Sequence, residues 1–233
     1  MSERVRAARR AKRRGRGFTL IELMSVVIMV MILAALAIPN FAPARADRAA
    51  YDDAGTLAEL FRVARTRALA RGTAELLYLW ADPANSQLGR YELWEAVTVN
   101  PVAGGNNRSP VASCKAPTVW TLDPTNQTGS TFNSLFIDAV DMNGLIEQQA
   151  NVRSAILYNG AATTQMYLCY TPAGRVYYSA YNGGVPNFNL QTPLTTPLEI
   201  DVTVYDSTQA SNYRGTKRSI LVPGSGMARV VSQ

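Results

Sequence analysis

One carboxylate, Glu22, lies inside a run of 21 residues that is otherwise free of charge, Phe18 to Ile38 (FTLIELMSVVIMVMILAALAI). At the centre of a membrane-crossing helix a carboxylate costs about 2.5–3.5 kcal/mol, so its presence asks for a function. It becomes useful where a cation carried by another chain is brought beside it in an apolar setting, because a buried pair is tolerated and a lone buried charge is not. Two cysteines, Cys114 and Cys169, are the other residues with chemistry of their own. Histidine is absent, which excludes Ser-His-Asp, Cys-His and His-ligated metal sites. There is no nucleophile elbow, and the glycines lie between strand-like runs rather than at the strand-to-helix turn that a phosphate loop requires. The expectation is a protein with no catalytic residue and no cofactor.

The elements that carry Glu22 are legible. At 1.5 Å per residue, a helix of 21 residues measures about 30 Å, the hydrocarbon thickness of a bilayer. Residues 1 to 17 hold eight Lys and Arg against Glu3, a net of +7, while the other 216 residues hold 15 basic and 16 acidic side chains. The formal charge of +6 and the pI near 9.5 therefore belong to the N-terminal tail. A basic tail before an apolar span keeps the N-terminus in the cytoplasm and sends the residues after Pro39 across the membrane. An ordinary secretory signal peptide shares the basic and apolar regions, and Ala35-Leu36-Ala37 would serve as its cleavage site, but Glu22 is foreign to such an apolar region.

The order Arg16-Gly17-Phe18-Thr19-Leu20-Ile21-Glu22-Leu23 resembles the class III signal of type IV pilins and type II secretion pseudopilins. The resemblance runs from Gly17 to Ile38, with Pro39 where many pilins have a helix-loosening proline. It implies that a membrane prepilin peptidase cuts between Gly17 and Phe18, and that residues 1–17 are a cleaved leader. Phe18 would become the N-methylated N-terminus and Glu22 the assembly carboxylate. The physics agrees: a glycine before the cut does not obstruct a protease, and cleavage removes the tail's +7 while giving Phe18 an ammonium that Glu22 of a neighbouring subunit can neutralise.

Pro39 and Pro43 are expected to interrupt or kink the helix. Beyond them Ala54, Leu57, Phe61, Ala64 and Ala68 recur at helical spacing, so the helical region is placed at 18–71, with 18–38 its membrane-spanning or filament-core part. Gly72 is its C-terminal cap. Arg62, Arg65, Arg67 and Arg71 are read as a solvated face rather than a nucleic-acid stripe.

Residues 72–233 change character. Strand-like runs are expected at 74–80, 90–99, 118–122, 131–138, 154–158, 165–170, 175–181, 198–205, 217–222 and 227–231, separated by Gly, Pro, Asn and Ser clusters, which reads as antiparallel hairpins. The loop from Asn182 to Pro197 is expected to be a variable surface loop. The fold class is therefore α+β, a long N-terminal helix packed on a β-rich sheet or sandwich domain. Leu57, Leu60, Ala64-Arg65 and Ala68-Leu69, the stretch Tyr170 to Arg175, and a terminal strand pair closed by Pro223-Gly224-Ser225-Gly226 resemble the globular part of GspH/FimT-type pseudopilins and minor pilins. The resemblance implies a minor pilin that helps to initiate or cap a type IV pilus. The alternative is a GspH-like pseudopilin of a type II secretion system. Its partners would be other pilins or pseudopilins met through the N-terminal helix, the prepilin peptidase, an inner-membrane assembly platform and, before assembly, the lipid bilayer. The globular part would be periplasmic.

In an exported domain Cys114 and Cys169 are expected to form a disulfide. The stretch Asp138 to Gly144 suggests a calcium loop, but aligning Gly144 on the required glycine places Ala139 and Ala150 where carboxylates are needed, so a turn at Asn143-Gly144 is expected and no metal. Arg214, Lys217, Arg218 and Arg229 raise a third function, DNA binding for uptake. Against it stands the plainer reading of these residues as exposed charges on strand edges that discourage aggregation, and a nucleic-acid partner is not expected.

Overall fold

The structure is a computed structural model and describes residues 18–82, 87–99, 108–115, 120–122, 133–142, 151–180, 186–188, 192–205 and 213–232. The basic segment 1–17, including Gly17, and the expected turn at Asn143-Gly144 lie outside the described residues. The chain divides into two compact units, Met1–Ala42 and Pro43–Gln233.

A single helix, α1 (Leu20–Arg71), is the first element. The break expected at Pro39 is not present in the backbone: the helix runs through both Pro39 and Pro43. Each proline lacks one N–H, so only the carbonyls four residues earlier, those of Ala35 and Pro39, lose a partner. In a helix of 52 residues the remaining bonds are sufficient. The helix stops where the sequence requires. Gly72 adopts φ +69°, which costs a residue without Cβ nothing, and its N–H reaches the Ala68 carbonyl at 3.2 Å.

Eleven strands come next among the described residues. They are β1 (Glu75–Asp82), β2 (Gln87–Val99), β3 (Arg108–Pro110), β4 (Ser134–Asp141), β5 (Asn151–Tyr158), β6 (Ala161–Thr163), β7 (Gln165–Tyr170), β8 (Val176–Ala180), β9 (Leu198–Tyr205), β10 (Tyr213–Val222) and β11 (Arg229–Ser232). They form two antiparallel sheets. The first runs β3-β2-β1-β7-β8, with β4 also paired to the 13-residue β2 beside β3. The second runs β11-β10-β9-β5-β6. The architecture is α+β.

One core joins helix and sheets in the second unit. Ala54, Leu57, Phe61, Ala64 and Ala68 of α1, the residues picked out by helical spacing, are all buried. They share a cluster with Leu77, Leu79, Tyr91, Leu93 and Leu168 of the first sheet and with Ile156, Leu198, Ile200, Val202 and Ile220 of the second. Alternation along β9 sends Leu198, Ile200 and Val202 into this core and leaves Asp201 to pair on the other face with Lys217 and Ser219, both at 2.7 Å.

The first sheet is buried on its other face as well. Leu76, Trp94, Tyr167, Cys169 and Tyr177 meet Cys114, Trp120 and Phe188 there. Packing on the two faces of this sheet explains two departures from expectation. Residues 120–122, expected to be a strand, are not one; instead Trp120 is buried and its Nε1–H donates to the Cys114 carbonyl at 3.3 Å. The end of the loop at 182–197 is also built in: Tyr178 N–H donates to the Thr192 carbonyl and Leu194 N–H to the Val176 carbonyl, both at 3.0 Å, with Leu194 buried. The short strands β3 and β6 carry no apolar run of their own and were not expected.

Candidate assembly and processing site

The described part of the first unit begins with Phe18, which precedes the helix and is exposed. Thr19 starts α1 as its N-cap. Its carbonyl oxygen accepts from the N–H groups of Glu22 and Leu23 at 3.1 and 3.2 Å, and its Oγ1 accepts from Glu22 N–H at 3.3 Å. Thr19 and Glu22 thus hold the spacing of a capping box, with the acid in the first turn where the helix dipole favours negative charge. That Thr-x-x-Glu signal was present in the sequence and unused. Glu22 is exposed and, among the described residues, makes no ion pair within the chain.

Every side chain described from Phe18 to Leu36 is exposed, with Leu20, Ile21, Val30, Ile32 and Leu33 each more than half so. An apolar surface of this extent is far larger than soluble monomers leave in water, and it marks a surface made for lipid or protein. Among the described residues no helix satisfies the length and hydropathy of a membrane span. The side chains described there end at Leu36, 17 residues into α1, whereas the apolar run continues in the sequence to Ile38 and the helical backbone with it.

Of the four arginines expected on a solvated face, Arg62 and Arg71 are more than half exposed, whereas Arg65 and Arg67 are partly buried and turned to partners. Arg65 Nε donates to the Ser225 carbonyl at 3.2 Å and so ties the helix to the turn between β10 and β11. Arg67 reaches Glu75 at 3.3 Å and Glu95 at 2.6 Å, and Arg71 reaches Glu95 at 3.1 Å. Of the four, Arg62 alone is spent on a partner within the helix, Glu59 at 3.3 Å with both side chains more than half exposed. The sequence missed this because the two carboxylates, Glu75 and Glu95, sit on strands and become opposite neighbours only when β1 pairs with β2.

The basic residues near the C-terminus are likewise engaged. Lys217 pairs with Asp201, and Arg218 holds both oxygens of Asp47 at 3.0 and 3.1 Å and stacks over the Tyr51 ring at 5.6 Å. Arg229 is exposed on β11, and the side chain of Arg214 lies outside the described residues. A free basic stripe for nucleic acid does not form among the described residues, and Lys217 and Arg218, expected as exposed strand-edge charges, are partly buried on β10, which lies between β11 and β9.

Cys114 and Cys169 are bonded to each other with their Cα atoms 6.1 Å apart, and no described cysteine is free. The bridge pins the segment after β3 to the middle of the first sheet. Among the described residues there is no group of three or more potential metal ligands.

Three comparisons bear on this geometry. Residues 12–38 match the prokaryotic N-terminal methylation motif, so the chain carries a prepilin-type N-terminal segment of which Gly17, Phe18 and Glu22 are members. No curated protein matches the chain. Among solved structures, the minor pseudopilin EpsH from the type 2 secretion system of Vibrio cholerae aligns with 78% of this chain and 96% of its own, at 11% identity and a TM-score of 0.35.

Proposed function

We propose that this chain is a type IV pilin-like filament subunit, a minor pilin that helps to initiate or cap a pilus after a prepilin peptidase removes residues 1–17. The observation that carries the reading is the exposed apolar stretch of α1 with Glu22 as its single charge, lying within a methylation motif. Such a helix needs either a bilayer or a bundle of like helices. In the bilayer it stores the subunit, N-terminus in the cytoplasm and β-rich unit in the periplasm. In the bundle, Glu22 meets the terminal ammonium that cleavage creates on Phe18 of a neighbour, and the pairing fixes register. The two sheets and the disulfide then form the part presented outward.

N-terminal analysis of the protein recovered from membranes tests this. The mature chain is expected to begin at a methylated Phe18, and replacing Gly17 with a bulky residue is expected to leave full-length precursor in the inner membrane. A mature N-terminus after Ala37 would show an ordinary signal peptide instead. Co-isolation with type II secretion pseudopilins rather than pilus subunits would reassign the protein to that machinery.

A further inference from the structure

Where α1 ends and the first sheet begins, four charged side chains are packed together. Glu75 on β1 and Glu95 on β2 are opposite neighbours in the antiparallel register, and both are buried, with relative exposures of 0% and 2%. Two carboxylates side by side out of water repel each other, and each needs a counter-charge. The helix supplies two guanidiniums from its last turns, and they are shared unequally. Arg67 Nη2 reaches Glu95 Oε2 at 2.6 Å and Arg71 Nη2 reaches Glu95 Oε1 at 3.1 Å, so each oxygen of Glu95 has its own cation. Glu75 receives a longer contact from Arg67 Nε at 3.3 Å and a hydroxyl from Thr73 at 3.2 Å, both on Oε1. Its second oxygen, Oε2, is buried with no partner.

We infer that Glu75, Glu95, Arg67 and Arg71 form a proton-operated latch: with a proton on Glu75 the last turn of α1 is held against β1 and β2, and loss of that proton loosens the hold. Glu95, with two cations, is the charged member; Glu75, with an unsolvated oxygen, is where a proton rests most cheaply. Burial, with the neighbouring Glu95 charge adding to it and Arg67 opposing it, pushes the Glu75 carboxyl up to about 7 from an ordinary 4.5. The groups facing the pair are few. From α1 they are Arg67 and Arg71, from the connection Thr73, and from β2 Glu95. On β7 the neighbour is Tyr170, opposite Glu75 in the register; burial raises its phenol well out of the range concerned, and its hydroxyl donates to the Gly226 carbonyl.

Linkage sets the sign. Between about pH 4.5 and 7 the folded protein keeps a proton on Glu75 that the unfolded chain has given up, so stability from this site is full below 4.5 and is lost as pH rises through 7. Above 7 a bare buried carboxylate remains beside Glu95. It is relieved by drawing Arg67 away from Glu95 or by admitting water, and either loosens the last turn of the helix. The latch depends on the folded β-rich unit alone, whether or not the chain enters a filament.

Hydrogen exchange of the full chain in detergent micelles, corrected for the intrinsic pH dependence of amide exchange, reads the latch directly. Amides of 68–77 are expected to open about tenfold more readily at pH 8 than at pH 5, in accord with a shift of more than one pH unit in the site that holds them. Glu75→Gln should abolish that difference and stay closed at both values. Glu95→Gln removes the repelling charge and leaves Arg67 to Glu75, so the difference between pH 8 and pH 5 should shrink. Asp53 provides the control, since burial, with the Asp52 charge beside it, also raises it to about 7. Asp53→Asn should leave the response at 68–77 intact. Equal pH responses in wild type and Glu75→Gln, or loss of the response in Asp53→Asn alone, would overturn the latch.

Discussion

Asp47 and Arg218, 171 residues apart in the sequence, form an ion pair in which one guanidinium nitrogen, Nη2, reaches both carboxylate oxygens at 3.0 and 3.1 Å. Thr216 N–H adds a third bond to the same carboxylate at 3.2 Å, and Tyr51 lies beneath the guanidinium. The pair fastens α1 to β10 near the start of the second unit. Hydrogen bonds from Thr216, together with the Arg218 charge, outweigh a small desolvation and hold the Asp47 carboxyl below its usual value. Stability from it is therefore complete above about pH 4 and lost only as acid protonates the folded group.

Arg218→Ala should accordingly destabilise the folded unit by about 1–3 kcal/mol, the range of charge-assisted hydrogen bonds between partly buried groups. Arg218→Lys, which keeps the charge but not the planar group over the Tyr51 ring, should recover only part of it. Chemical denaturation at neutral pH measures both. The Arg218→Ala deficit should shrink as acid protonates Asp47 in the folded wild type, since the carboxylate that Arg218 pairs with is then lost. A lysine variant as stable as wild type would show that geometry at this site does not matter.

The disulfide gives a second prediction. Cys114 and Cys169 enclose a loop of 56 residues, for which loop-closure entropy gives about 4 kcal/mol. Replacing both with serine should lower the unfolding midpoint and free Trp120, whose ring is held in the same cluster. Peptide mass spectrometry without reduction should find the two cysteines joined in protein taken from cells. Alkylation of either thiol in that sample would refute the bridge.

DNA affinity is the third. With Lys217 bound to Asp201 and Arg218 to Asp47, binding of duplex DNA should be no tighter than about 10⁻⁴ to 10⁻⁶ M at physiological salt, the non-specific range. Fluorescence anisotropy across a salt series tests this. A tight, steeply salt-dependent affinity lost on substituting Arg214, Lys217, Arg218 and Arg229 by alanine would establish DNA capture as a function.

How far these features were legible depends on how local their cause is. The buried stripe Ala54 to Ala68, the Gly72 cap, and the strands at 165–170 and 198–205 are written in spacing and turn chemistry over a few residues, and the structure has them there. Ion pairs such as Arg67 with Glu95 or Arg218 with Asp47 join residues 28 and 171 positions apart and exist only after strands choose partners. In β7 composition and not alternation marks the strand. Five of its six residues are buried, so the alternation that marks a half-exposed strand is missing, because the disulfide-linked segment covers the face that a simpler sandwich would leave to water. The interruption expected at Pro39 is absent for the opposite reason: a local rule was outweighed by the long helix on either side of it.

The central claim is that Glu22 is an assembly contact rather than only the capping residue of its own helix, and one comparison tests it most directly. In Glu22→Ala the span keeps its apolar length, so processing and membrane insertion should continue. Thr19 still supplies the N-cap oxygen, and helix formation should lose no more than about 1 kcal/mol. The measurement is recovery of the variant in sheared filaments, set against its amount in the membrane fraction by immunoblot and compared with wild type. The expected result is a normal, cleaved membrane pool with filament incorporation sharply reduced, because the ammonium on a neighbour's Phe18 would be buried without a partner. Equal incorporation of the two proteins would contradict it.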